Sequence, residues 1–209
     1  MERALLQQPL TRQREITKHS AGHFGIGNKM KLWGLRSTSS CPLCNCENET
    51  PEHLYRCPDQ RAVEVWNKGL ESLKKMLKKK HTCPEIVTAL ISGLDAWRRN
   101  ESFTLAEGTT WFGLRAAVES QTAIGWKSLL DGFLSEAWLP SQDAYFKWRR
   151  KRNTAEVWSV AVIGALWTFA WKYGNTAMIA FTMVATDWCI ARYCGKWRKK
   201  KQWEGGICH

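Results

Sequence analysis

Four cysteines and one histidine lie within residues 41 to 57, in the stretch CPLCNCENETPEHLYRC. Cys41 and Cys44 flank a proline-leucine pair, a tight turn that lets two thiolates face one ion. His53 and Cys57 are separated by three residues, so on one helical turn both side chains point the same way. Zinc accepts three sulfurs and one nitrogen as a closed tetrahedron with no open position for water. The pattern therefore predicts a structural Zn²⁺ ion.

Cys46 leaves alternatives open within this motif. It could replace Cys44 as the second ligand, or it could be a free thiol, and we rank Cys44 first because the proline-leucine turn forms the better knuckle. A set of reduced thiols without metal is the remaining alternative, which the clustering disfavours. Zinc binding at such sites contributes ~10–16 kcal/mol, more than this loop could gain from its few apolar groups.

The composition favours an intracellular protein with a polyanionic partner. The N-terminus has no apolar run of signal-peptide length, so we expect a nuclear or cytoplasmic chain in which a disulfide framework is disfavoured. The net charge of +12 favours nucleic acid, RNA or DNA, bound with weak sequence preference, and an anionic membrane surface second. Thirteen tryptophans are expected to anchor a core. His19 and His23 are expected to be solvated histidines of a basic loop.

Runs of lysine and arginine are the candidate phosphate contacts. Such runs are often only the solvated faces of helices, but their summed charge provides a footprint for phosphates. Trp148 and Trp197 lie inside basic runs and could stack on exposed bases, or could turn into the core while the lysines extend outward. The candidate nucleic-acid-binding residues are Lys74, Lys75, Lys78, Lys79, Lys80, Arg149, Arg150, Lys151 and Arg152.

Apolar residues recur at three- and four-residue steps along the chain, and no alternating strand pattern persists. The pattern predicts helices after Pro58, after Pro84 and from about Leu114 through Leu134, with a restart near Pro140. We expect a mainly α protein, in which a helical body carries one small irregular Cys3His zinc module near the N-terminus. The expected divisions are a basic arm at 1–40, the zinc-binding module at 41–60, a helical region at 61–171, and a hydrophobic then basic tail of uncertain fold at 172–209.

Residues 157 to 191 contain two apolar stretches of about 15 residues, divided by the polar KYGNT at 172–176. Each is shorter than the ~20 residues that cross a bilayer, although basic runs flank both ends as in a two-pass hairpin. Asp187 favours a helical hairpin buried in a soluble core, because a carboxylate inside a membrane is costly. Asn153 and Glu156 predict the cap that begins this segment.

The stretch KHSAGHFGIGNKMKLWGLRSTSSCPLCNCENETPEHLYRCPD, residues 18 to 59, resembles the zinc-binding segment downstream of the polymerase in non-LTR retrotransposon reverse transcriptases. The points of similarity are a basic stretch before Trp33, the CPLC motif, a short acidic linker, and a Glu-His pair followed by a cysteine. A weaker similarity continues to about Trp171. The resemblance implies nucleic-acid handling next to a reverse transcriptase, and it implies that the module's ligands are Cys41, Cys44, His53 and Cys57.

Motifs of polymerase and nuclease chemistry do not occur in the sequence. It has neither Tyr-x-Asp-Asp nor Phe-x-Asp-Asp, and no acidic residue stands two positions before a lysine. Walker, G-x-S-x-G and H-E-x-x-H patterns do not occur either. We therefore expect a non-enzyme without a small-molecule substrate, a zinc-dependent nucleic-acid-binding remnant of a reverse-transcriptase-like retroelement protein. The alternatives are a membrane-associated protein anchored by the 157–191 hairpin, and a decayed fragment without selected function.

Overall fold

The computed structural model describes residues 2–23 and 25–185, the last eleven of these (175–185) as backbone only. Within these ranges the chain is helical and contains no β-strand, so the predicted mainly α fold is confirmed. A short 3-10 helix at Trp126–Leu129 lies between the seventh and eighth α-helices. The α-helices are α1 (Glu2–Leu6), α2 (Leu10–Ser20), α3 (Gly27–Leu32), α4 (Pro51–Arg56), α5 (Gln60–Lys79), α6 (Pro84–Arg98), α7 (Leu114–Ile124), α8 (Trp138–Trp148) and α9 (Ala155–Ala185).

Helices α5 and α9 form the centre of the helical body and run antiparallel. Near the start of α5, the Trp66 ring meets the Phe169 ring at 5.2 Å between centroids. Just beyond its end, the indole N–H of Trp158 donates to the Thr82 hydroxyl at 2.9 Å. The helix predicted after Pro58 is confirmed, and its apolar residues form one face, because Trp66, Leu70, Leu73 and Leu77 are all buried.

The sequence predicted a helical hairpin divided at the polar stretch 172–176. The structure has no break there. One helix, α9, runs without interruption from Ala155 to Ala185. Tyr173 anchors this part of α9 to the core, because its buried ring stacks on Tyr55 at 5.3 Å between centroids. Residues 186–191 of the predicted hairpin, including Asp187, lie outside the described residues, as does Trp197. Within the described part of the chain, no helix combines the length and the apolar character that crossing a membrane requires.

The predicted helix from Leu114 through Leu134 ends early. It stops at Gly125, whose φ of 97° lies outside the helical region, and a 3-10 turn follows. Gly132, with a φ of 92°, turns the chain again before α8 begins at Trp138.

The cap of α9 is shifted by one residue from the predicted Asn153. The Thr154 hydroxyl accepts from the Val157 N–H at 3.4 Å.

Residues 1–40, expected as a basic arm, contain three helices and pack against the body. The Arg12 guanidinium lies 4.1 Å from the centroid of the Trp171 ring and donates to the Trp167 carbonyl at 3.3 Å. Ala4 and Ile16 are buried together with Trp167 in a small second core. The first helices therefore stabilise α9 from the side facing away from α5.

Candidate metal centre and basic surface

Local structure positions each of the four predicted metal ligands. Around the first pair, the Cys41 N–H donates to the Cys46 carbonyl at 2.8 Å, and Asn45 closes the turn at a φ of 59°. Around the second pair, the Thr50 hydroxyl caps α4 by accepting from the His53 N–H at 3.1 Å. His53 therefore lies in the first turn of α4, and Cys57 follows the end of that helix one turn later.

The four side chains converge on one point. The Cys44 Sγ lies 3.2 Å from the His53 Nε2, and the Cys41 Sγ lies 3.9 Å from the Cys57 Sγ. All four ligand atoms lie within 4.8 Å of one another. With Zn–S bonds of ~2.3 Å, a tetrahedral zinc ion holds its sulfurs ~3.8 Å apart. The cluster can therefore hold a metal ion after small side-chain adjustments.

Backbone amides around the cluster favour thiolates. The N–H groups of Leu43 and Cys44 point to the Cys41 sulfur, and the N–H of Asp59 points to Cys57. A hydrogen bond from the Cys57 thiol, reinforced by these amides, lowers the pKa of Cys41 to about 4. The resulting Cys41 thiolate raises the pKa of the Cys57 thiol well above the ordinary range. Metal ligation requires both thiols as thiolates, so a bound cation would release the proton that the two sulfurs share in this hydrogen bond.

Cys46 does not belong to the cluster. Its side chain is exposed, and its Sγ points to the Asn48 carbonyl at 3.9 Å. Cys83 is buried elsewhere, at the start of α6, where its thiol donates to the Glu85 carboxylate at 2.8 Å. Of the alternatives that the sequence left open, the geometry favours Cys44 over Cys46 as the second ligand.

The cluster is continuous with the main hydrophobic core. Cys41 and Cys57 are fully buried and pack in the same core as Leu54 and Trp66. The Arg98 guanidinium of α6 donates to the Cys57 carbonyl at 2.9 Å. Loss of the cluster geometry would therefore disturb the packing of the helical body as well.

A buried glutamate connects the cysteine loop to α3. The Glu49 carboxylate accepts from the Gly27 N–H at 2.6 Å, and Arg36 lies 3.9 Å away. Burial raises the pKa of Glu49 to about 7, although the Gly27 N–H opposes this shift. Gly27 itself has no room for a side chain, because a Cβ there would overlap the Ser39 carbonyl.

His19 was expected in a solvated loop, and the structure places it in the interior. Its Nε2 lies 2.9 Å from the Tyr55 hydroxyl, and only 9% of the residue is exposed. Burial lowers the pKa of His19 to about 4, and the charges of Lys127 and Arg12 add to this effect. The sequence offered no signal for this placement, since Tyr55 is 36 residues away. His23 is exposed, as expected.

The two basic runs lie mainly at the surface. Lys74 is half-buried, and its Nζ lies 3.7 Å from a Glu71 carboxylate oxygen. The remaining members are exposed, namely Lys75, Lys78, Lys79, Lys80, Arg149, Arg150, Lys151 and Arg152.

Gln142 of α8 brings the two basic runs to the same end of the helical body. Its amide donates to the His81 carbonyl and accepts from the Cys83 N–H, both at 2.9 Å. His81 directly follows the lysines at the end of α5, and Cys83 lies two residues further on. Arg149 follows Gln142 by seven residues, about 10 Å along a helix axis. Two runs separated by about 70 residues in sequence are therefore linked through Gln142, and we call them together the basic end (residues 75–80 and 147–152).

The sequence did not reveal the residues that assemble the basic end. Gln142 and Thr82 are polar side chains without a distinctive motif, and their partners lie 59 to 76 residues away in sequence. Phe112, 66% exposed beside α8, was also missed. Comparisons with protein-family models, with curated proteins and with solved structures find no match to this chain.

Proposed function

We propose that this chain is a non-catalytic nucleic-acid-binding protein whose fold depends on a structural zinc ion. The observation that carries the proposal is the pairing of a converged Cys3His set with the basic end, on one helical body. In this proposal the metal orders the N-terminal part, and lysine and arginine side chains contact phosphates.

Zinc is the metal that this ligand set favours. Three cysteine sulfurs with one imidazole nitrogen suit a tetrahedral ion of borderline softness, whereas Ca²⁺ and Mg²⁺ prefer oxygen ligands. Four protein ligands leave no position for a reacting water, which supports a structural role. The burial of Cys41 and Cys57 supports the same role, because a buried site excludes substrate.

Nucleic acid is the partner that the charge favours. The chain carries a net charge of +12, and the basic end gathers exposed cations from two helix ends. Contacts of this kind are made to phosphates and carry little sequence information, so we expect weak sequence preference. We also propose, from the similarity of residues 18–59, that the chain descends from the zinc-binding part of a retroelement reverse transcriptase.

The test is binding of a labelled 20-base-pair DNA duplex, measured by fluorescence anisotropy over a range of salt concentrations. The variant Lys79→Gln/Arg150→Gln removes two charges from the basic end. The matched control Lys68→Gln/Lys172→Gln removes two exposed charges away from the basic end, in the first half of α5 and the middle of α9, where Trp66 meets Tyr173 at 5.4 Å.

The proposal predicts that affinity falls steeply with salt. The basic-end variant is expected to lose up to ~1.8 from the slope of log K against log salt concentration, ~0.9 for each phosphate contact, whereas the control stays close to wild type. An affinity that ignores ionic strength, or equal losses in the two variants, would contradict it.

A further inference from the structure

Trp148, the last residue of α8, is 68% exposed in the middle of the basic end. A tryptophan side chain carries a large apolar surface, and most of the tryptophans described here are buried or half-buried. An indole ring that stays in water among arginines has a surface available for a flat, π-bearing partner.

The Trp148 ring is held by neighbouring rings. It meets the Trp111 ring at 6.4 Å and the Tyr145 ring at 6.0 Å between centroids. Trp111 is itself fixed, since its indole N–H donates to the Ser141 carbonyl at 3.3 Å. The Arg149 guanidinium carbon lies over the Trp148 ring at 5.6 Å from its centroid, within cation–π range, so it shields part of one face and leaves the rest of the exposed ring open. The indole is therefore a supported platform with an accessible surface.

A groove of about 480 Å³ lies along α8, and its lining includes the chain neighbours of the two contacting rings, Phe112 after Trp111 and Lys147 before Trp148. Phe112 forms one wall, and Pro140, Asp143 and Lys147 lie along the other. Phe112 follows Trp111 directly in the chain and is 66% exposed. The groove thus offers a second aromatic ring and a cation next to the Trp148 platform. Asp143 places a carboxylate there, with one oxygen accepting from the Ala155 N–H at 2.9 Å.

We propose that the basic end binds single-stranded nucleic acid, with unpaired bases stacking on Trp148 and Phe112. Phosphates on either side contact Lys147 and the arginines at 149, 150 and 152. This assignment rests on the proposed nucleic-acid-binding function and specifies its substrate class. Stacking on aromatic rings combined with a positive groove is the usual basis of sequence-tolerant single-strand binding.

A single strand suits this surface better than a duplex or an anionic membrane. The bases of a duplex are stacked on each other, so they have no face to offer to Trp148. A lipid surface is broad, whereas Phe112 lines a concave groove on α8 that contains the Asp143 carboxylate. Fixed ring orientation, as at Trp148, favours a planar partner over fluid acyl chains.

The test measures anisotropy with labelled oligothymidine of 20 nucleotides, with a 20-base-pair duplex, and with vesicles of phosphatidylcholine and phosphatidylserine. The variants are Trp148→Ala, Trp148→Phe and Phe112→Ala. Phe133→Ala is the matched control, because Phe133 is 50% exposed but lies in the turn before α8. Circular dichroism checks that each variant is folded.

We expect Trp148→Ala to bind oligothymidine roughly 5- to 150-fold more weakly, with an unchanged salt slope because no charge is lost. Trp148→Phe should recover part of the affinity, and duplex binding should change little. Equal losses for the single strand and the duplex would overturn the stacking assignment while leaving the proposed function intact. If the wild type shows no salt-dependent binding to either nucleic acid, or binds only the vesicles, both the stacking assignment and the proposed function would be overturned.

Discussion

The Tyr173 hydroxyl of α9 donates a hydrogen bond of 3.0 Å to the Leu54 carbonyl, 119 residues earlier in the chain. Leu54 directly follows His53, so this bond ties the candidate metal centre to the longest helix of the body. Both groups are buried, and the Tyr173 ring also stacks on Tyr55. The metal centre and the core are thus linked through α4.

Replacing Tyr173 by phenylalanine tests this link. The change keeps the ring but leaves the Leu54 carbonyl buried without its donor, which should lower the free energy of unfolding by roughly 1–3 kcal/mol. We also expect weaker metal retention, because α4 carries His53. Urea unfolding and competition with a chromophoric zinc chelator measure the two effects. Tyr145→Phe, in the aromatic cluster at the basic end, is the control, and an equal change in metal retention there would contradict the link.

Replacing Gln142 by alanine should weaken nucleic-acid binding without changing the charge. It removes the bonds to His81 and Cys83 that connect the end of α5 to α8, and it leaves a buried N–H and a carbonyl without partners. We expect a loss of roughly 2–4 kcal/mol of stability together with lower affinity for nucleic acid, measured well below the unfolding temperature.

The matched control for Gln142→Ala is Gln121→Ala. Gln121 is equally buried and bonds to Ser135 and Trp138, at the start of α8 and away from the basic end. It should cost similar stability but leave affinity for nucleic acid close to wild type. If both variants bind alike, the Gln142 link does not organise the binding surface.

The buried His19 should make stability depend on pH. Its pKa is about 4 in the folded chain against 6.5 for the ordinary side chain, and burial is the main cause, followed by Lys127 and Arg12. The unfolded chain therefore takes up the proton first, and stability falls as pH decreases from about 6.5 to about 4. The loss should approach roughly 3 kcal/mol at the lower end.

The His19→Gln variant isolates this contribution. Glutamine does not titrate, so the difference in unfolding free energy between wild type and variant should narrow or reverse as pH falls through this window. Other titrating groups, including the metal ligands, contribute equally to the pH dependence of the unfolding free energy in both proteins, so their effect cancels in the difference. A difference that stays constant from pH 7 to pH 4 would contradict the assignment.

Local signals in the sequence predicted much of the fold. The apolar face of α5 and the proline at the start of α6 determine those helices through their own residues. The predicted ligands also converge, because the knuckle and α4 are short-range structures. The end of α7 at Gly125 and the continuity of α9 were not predicted. A glycine can end a helix or lie within one, so the sequence alone does not distinguish Gly125, which ends α7, from the glycine of the 172–176 stretch, which lies within α9. In α9 the helix continues through this stretch, where Tyr173 packs in the core.

Long-range contacts explain what the sequence could not provide. His19 lies in the core because it bonds to Tyr55, and the two basic runs are linked through the hydrogen bonds of Gln142. These side chains have ordinary polar character, so neither spacing nor composition distinguishes them from solvent-exposed residues. Proximity between distant segments is set by how the helices pack.

The most direct test of the Cys3His zinc site is the metal content of purified protein, measured by mass spectrometry for wild type, Cys57→Ser and Cys46→Ser. Cys57 belongs to the converged set, and Cys46 is its exposed neighbour outside it. We expect about one zinc ion per chain in wild type and Cys46→Ser, and its loss in Cys57→Ser. Wild type without zinc, or zinc lost from Cys46→Ser but kept in Cys57→Ser, would contradict it.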